Sequence, residues 1–138
     1  MKSNQTVGYL EPRGLSALVE KLPTYGGPYA LTGSLAAAPI APVATPRLAA
    51  LYVGSVTQAA GVLGLRRADT GANVLLAQPY DPVVFDRTTV ERDLTYAALS
   101  QVAVDLMTGP GRSPAEGEAL LDWMARNEDK WRRPISTS

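Results

Sequence analysis

The chain has 138 residues, 46% hydrophobic and 19% charged, with 13 Lys and Arg against 13 Asp and Glu and a formal net charge of zero. That is the composition of a folded domain, and no field of one sign draws it onto DNA or an acidic membrane. There is no Cys and no His, so disulfides, zinc–thiolate sites, thiol nucleophiles and a Ser-His-Asp triad are excluded, and any metal would be hard and held by oxygen.

Met1–Thr6 is polar and no signal-peptide pattern follows. No apolar run reaches the roughly 18 residues of a membrane helix. The expectation is a single cytoplasmic domain over residues 1–138, away from membranes, with residues 132–138 as a flexible tail. Val7–Leu10 is a short apolar piece that fits an edge strand. Pro12 suits the first turn of a helix, and Leu15, Leu18, Val19 and Leu22 repeat at helical spacing up to Pro23. Thr24–Pro28 reads as a loop, Tyr29–Thr32 as a strand, and Ser34 as the cap of a short helix that stops near Pro39. Leu48–Val53 is continuously apolar, as a strand buried on both faces must be. Ser55 is placed to cap a helix through Leu63, and Gly64 to end it.

Arg66–Gly71 reads as a polar turn and Asn73–Gln78 as a third strand. Two strand–helix–strand units in succession predict an α/β (α+β) fold with a small, partly parallel mixed sheet flanked by helices. Val83–Phe85 and Leu94–Ala97 fit two short strands joined by the charged loop Asp86–Asp93. A helix beginning at Ser100 carries Val102, Ala103, Leu106 and Met107 and ends at Gly109-Pro110-Gly111. Ser113-Pro114-Ala115-Glu116 supplies a capping box with Pro at the first helical position, opening a last helix with Leu120, Leu121, Met124 and Trp131 along one side. These two helices are expected to pack as a C-terminal pair.

Gly33-Ser34, after a strand and before a helix, is the candidate anion-binding turn, because unpaired N–H groups at a helix start favour an anion. Ser34-Leu35-Ala36 lacks the Gly-Lys-Ser/Thr ending of a phosphate loop. A nucleotidyltransferase places a Gly-Ser turn before a strand bearing two magnesium-binding carboxylates. Here Arg47–Val53 carries no carboxylate, so a two-metal mechanism has nothing to hold its ions. Asp81, before Pro82, reads as a turn residue and Asp86 as part of a solvated loop. Arg66-Arg67 lies at a helix-to-strand turn. Arg126, Lys130, Arg132 and Arg133 are interleaved with Trp123 and Trp131. That pattern suits a nucleic-acid strand, but Glu128-Asp129 lies in the same turn and basic residues also complement a helix C-terminus. Asp105, inside an apolar helical stretch, either faces water or pairs, with Arg112 as the expected partner. Trp123 lies off the apolar side of its helix and is the best candidate for a partner-binding residue, with Arg126 and Lys130 beside it. Packing under the Ala/Pro-rich segment 36–50 is the competing role for Trp123.

The stretches YALTGSLAA, ANVLLAQPYDPVVFDRT and LTYAALSQVAVDLMTGPGRSPAEGEALLDWM resemble the C-terminal domain of AbiEi-like antitoxins. These belong to type IV abortive-infection toxin–antitoxin systems, and actinobacterial transcription-regulator homologues share the domain. The resemblance covers roughly residues 7–131 and is most specific in the Ser-Gln…Asp-Leu…Gly-Arg-x-x-x-Glu-x-x-x-Leu-Leu pattern at Ser100–Leu121. It implies a domain that neutralises a nucleotidyltransferase-like toxin by protein contacts, with no catalytic residue, cofactor or metal. It also implies a DNA-binding winged helix-turn-helix upstream, which has no counterpart before Val7; the expectation is either a fragment or a stand-alone version of the second domain, and DNA binding does not simply carry over. The expected function is a non-enzymatic antitoxin or regulatory domain built on a degenerate nucleotidyltransferase-like core. Two alternatives remain: such a core binding a nucleotide without turnover, or a nucleic-acid-binding module of a transcription regulator.

Overall fold

The computed structural model describes residues 3–43, 45–109 and 112–131, with side chains from Thr6 onward. The fold is α/β, with a seven-stranded mixed sheet ordered β4-β1-β5-β3-β2-β7-β6. The strands are β1 (Ser3–Leu10), β2 (Tyr29–Thr32), β3 (Ala49–Val53), β4 (Arg66–Arg67), β5 (Val74–Pro79), β6 (Thr89–Glu91) and β7 (Leu94–Tyr96). The helices are α1 (Leu15–Lys21, continued by a 3-10 turn over Leu22–Thr24), α2 (Gly33–Ala37), α3 (Val56–Leu63), α4 (Val83–Asp86), α5 (Leu99–Thr108), α6 (Pro114–Arg126) and α7 (Glu128–Trp131). None of these helices is long and apolar enough to cross a membrane.

β3 sits at the centre, parallel to β5 and antiparallel to β2. All five of its residues are buried, as its unbroken apolar run requires. The register aligns Val7, Leu76, Leu51 and Leu31 in one row across β1, β5, β3 and β2, all of them buried. Thr32 pairs with Ala50, two positions from Tyr52, so Thr32 and Tyr52 share the opposite face. α2 and α5 pack against each other, α2 against β3 and α5 against β2, while α3 packs on β1 and β5. The expected pair of C-terminal helices, α5 and α6, is present.

α3 forms as its ends dictate. The Ser55 hydroxyl accepts the Gln58 N–H at 3.2 Å, and Gly64 closes the helix at φ 66°.

Several local expectations give way to tertiary demands. β1 is no edge strand, because Arg66 and Arg67 extend to pair with Leu10 and Tyr9 instead of forming a turn. Pro12 lies in a turn before the helix, which starts at Leu15 behind Gly14. Val83–Phe85 is helical, since Asp81 Oδ1 accepts the Val83 N–H at 3.0 Å and folds the chain into a turn there. The supposed charged loop instead holds β6, joined to β7 by Arg92 and Asp93 at φ 51° and 64°, a two-residue type I′ connection. Because β2 and β3 are antiparallel, the first strand–helix–strand unit is not a parallel crossover.

Ser34 lies inside α2 and makes no cap. Ser113 holds the N-cap position of α6 without a side-chain cap bond, and the Glu116 carboxylate that would complete the capping box accepts the Ser34 hydroxyl instead. α6 stops at Asn127, whose amide donates to the Trp123 carbonyl at 2.8 Å, and the Trp131 indole folds back to donate to the Met124 carbonyl at 2.7 Å. Leu121 turns outward at 45% exposure, while Leu120 and Met124 are core. The expected tail at 132–138, with Arg132 and Arg133, lies outside the described residues, as do Pro110 and Gly111.

α5 and α6 close tightly at Gly117, where an added Cβ would lie 2.6 Å from Met107 Sδ and 3.3 Å from Leu106 Cβ. A Gly117→Val variant is expected to lose about 1–3 kcal/mol by overpacking. Urea denaturation of both proteins checks this, with Gly61→Val as a control at a helical glycine that has open space around it.

Candidate functional site

Two clusters of polar chemistry stand out, and they differ in access. The first is closed. Asp105 on α5 has no exposed surface, and Thr32 and Tyr52 are equally buried. Asp105 Oδ2 accepts the Thr32 hydroxyl and the Tyr52 hydroxyl, each at 2.7 Å. Its Oδ1 accepts the Gln101 amide at 2.9 Å, and the same amide reaches the Tyr52 oxygen at 3.2 Å. The partner is therefore not Arg112, which is exposed. Burial, then the hydrogen bond and charge of Asp105, push the Tyr52 hydroxyl far above its ordinary range, with the Gln101 bond opposing weakly. A network this enclosed ties α5 to β2 and β3 and has no room for a substrate.

Next to it lies the Gly33-Ser34 turn. Gly33 takes φ 71°, which lets the chain leave β2 and enter α2 at once. The Ser34 hydroxyl donates to Glu116 Oε1 at 3.0 Å. A carboxylate from α6 thus already sits at this turn, and α2 spans only five residues. Asp81 serves its own turn and Asp86 is exposed at the end of α4. Among the described residues, no three carboxylates lie together in a way that holds a metal ion.

The second cluster is open. A groove of about 900 Å³ runs between the end of α2 with Pro39 and Ile40, the β6–β7 hairpin, the first turn of α5 and the α6–α7 region. Tyr96, Trp123 and Trp131 supply its aromatic lining, and Arg87, Lys130 and Glu91 its charges. Trp123 is half-buried: it packs against the core and also lines the groove. This joins the two roles that its sequence position left open. Burial, followed by the Glu91 charge, raises the Tyr96 hydroxyl above its usual range. Of the residues singled out by sequence, the groove brings together Trp123, Lys130 and Trp131. Arg126 is exposed on α6 outside the lining, and Gly33 and Ser34 lie elsewhere. Arg87, Glu91 and Tyr96 were missed. The one available signal was the alternation over Thr89–Tyr96 around a two-residue turn, and the charges of that segment hide it.

Comparison with protein-family models, with curated proteins and with solved structures finds no match for this chain.

The buried network makes a prediction for alkaline pH. Tyr52 keeps its proton in the folded state above pH 10.0, where an unfolded tyrosine loses it. The unfolded chain then binds fewer protons than the native one, so this contribution is present below pH 10 and is lost as pH rises beyond it. Tyr52→Phe is expected to cost about 1.5–3 kcal/mol at neutral pH, the value of a hydrogen bond to a charged group, and to flatten the alkaline decline. Melting temperatures of both proteins from neutral to alkaline pH measure each effect.

Proposed function

We propose that this chain is a non-enzymatic binding domain of the AbiEi-like antitoxin type, which counters a nucleotidyltransferase-like toxin through protein contacts. The observation that carries the reading is the groove: three aromatic side chains, one of them half-buried Trp123, line an open concavity on the surface. Large aromatic residues partly freed from the core are the type most enriched at interface hot spots. The sheet supports the same reading. A strand, the Gly33-Ser34 turn, a short helix and a second strand follow one another in β2, α2 and β3, the order that the proposed degenerate nucleotidyltransferase-like core would need. The strand that should carry acids is instead Ala49-Ala50-Leu51-Tyr52-Val53, buried throughout. The turn that would face a nucleotide is engaged by Glu116, which weighs against a retained nucleotide site. Arg126 outside the groove and a net charge of zero weigh against a nucleic-acid module.

The test is co-expression with a nucleotidyltransferase-like toxin encoded beside the chain, scored as growth rescue. Trp123→Ala is expected to weaken the complex by about 2 kcal/mol or more while the variant remains folded. Its melting temperature is recorded on the same preparation. Full rescue by a folded variant removes Trp123 from the contact surface and this reading with it.

A further inference from the structure

Among the described residues, the groove lies along an unpaired edge of the sheet. β6 is the last strand in the sheet order, and its three residues are all exposed. The hairpin register pairs Glu91 with Leu94, Val90 with Thr95 and Thr89 with Tyr96. Thr95 gives its N–H to the Tyr29 hydroxyl at 3.0 Å, on the β2 side, and not to β6. Its cross-strand neighbour Val90 therefore turns its own N–H and C=O away from β7, toward the open edge. Thr89 and Glu91, on either side of Val90, both line the groove. A strand added beside Val90 would set alternate side chains over the aromatic lining.

Charge decides what such a strand carries. Arg87 and Lys130 are exposed, line the groove and make no salt bridge among the described residues, while Glu91 is the single acidic side chain in the lining. Two exposed cations, outnumbering the one acid of the lining among the described residues, beside three aromatic rings match a segment that combines carboxylates with apolar side chains. A nucleic-acid strand presents a charge at every phosphate and needs more cations than this.

We propose that the groove receives an extended acidic segment of a protein partner, paired along β6 at Val90, its apolar side chains against Tyr96 and Trp123 and its carboxylates at Arg87 and Lys130. The proposal rests on the reading of this chain as a protein-contact domain and names the chemistry of the contact.

Both tryptophans of the chain line the groove, so their fluorescence reports on it directly. The probes are a short capped peptide of alternating aspartate and leucine, its lysine–leucine counterpart, and single-stranded oligothymidylate. The aspartate–leucine peptide should shift the emission saturably and bind about tenfold more tightly than the lysine–leucine peptide, as two exposed charge contacts allow. The double variant Arg87→Glu, Lys130→Glu should invert that order without moving the melting temperature. Val90→Pro, which removes the outward N–H at an edge position that tolerates proline, should weaken both peptides and leave the oligonucleotide unaffected; unchanged peptide binding overturns the pairing along β6. Equal binding of the two peptides, tighter binding of the oligonucleotide, no saturable shift, or a preference untouched by charge reversal overturns the proposal. In the co-expression assay, loss of rescue by Trp123→Ala with full rescue by the charge-reversed variant sinks the acidic segment and leaves the protein-contact reading standing. Full rescue by a folded Trp123→Ala sinks that reading itself.

Discussion

A carboxylate with no exposed surface organises this molecule. Asp105 has lost its water, and an ionised group in that position is tolerated only if its lone pairs are filled. Three elements fill them: β2 through Thr32, β3 through Tyr52 and α5 through Gln101. The demand extends to the chain that follows. Gly109 lies so close that an added Cβ would stand 2.8 Å from the Asp105 Cα and 2.9 Å from its Oδ1. The Ser113 N–H then donates back to the Leu106 carbonyl at 2.7 Å, which sets where α6 begins. With α5 held on β2 and α6 packed on α5 and α2, Trp123 and Leu99 line the groove beside the β6–β7 hairpin. The open groove is a geometric result of a closed polar cluster.

That arrangement separates two features that the sequence places close together in function. The Gly-Ser turn carries the chain from β2 straight into α2, and its hydroxyl is committed to Glu116. The groove is assembled from segments far apart in the chain, from Ala36 to Trp131. An ion pair lies elsewhere in the fold. Glu11, 1% exposed, meets Lys21 at 2.8 Å, and Lys21 also donates to the Leu63 carbonyl. Asn73 bonds the Glu11 backbone with both ends of its amide. This cluster joins β1, α1, α3 and β5 at the opposite side of the sheet.

What the sequence revealed was whatever local chemistry decides. β3 was legible because an all-apolar run has one good solution, and α3 because Ser55 and Gly64 punctuate it. The capping box at Ser113 was plausible and did not form, since Glu116 found a partner 82 positions away in Ser34. α4 looked extended because Val and Phe favour strands, but Asp81 bent the chain first. Asp105 was recognised as out of place in an apolar helix. Its partners were not, because hydroxyls on β2 and β3 carry no mark in sequence that a carboxylate will arrive. The groove was half legible: Trp123 and Lys130 stood out, whereas Arg87 and Tyr96 gain meaning only once the hairpin folds.

The order of strands has a consequence for synthesis. β1 precedes every other strand of the described chain, yet its register partners lie in β5, with Val7 opposite Leu76. As the polypeptide leaves the ribosome, β2, β3 and α3 emerge and can associate while β1 still has no strand to pair with. Only after β5 appears can β1 dock on it, and β4 then borders β1. β1 is thus the last of the central four to find its place, and a strand kept waiting with Val7, Tyr9 and Leu10 unburied is a segment that a nascent-chain chaperone would hold.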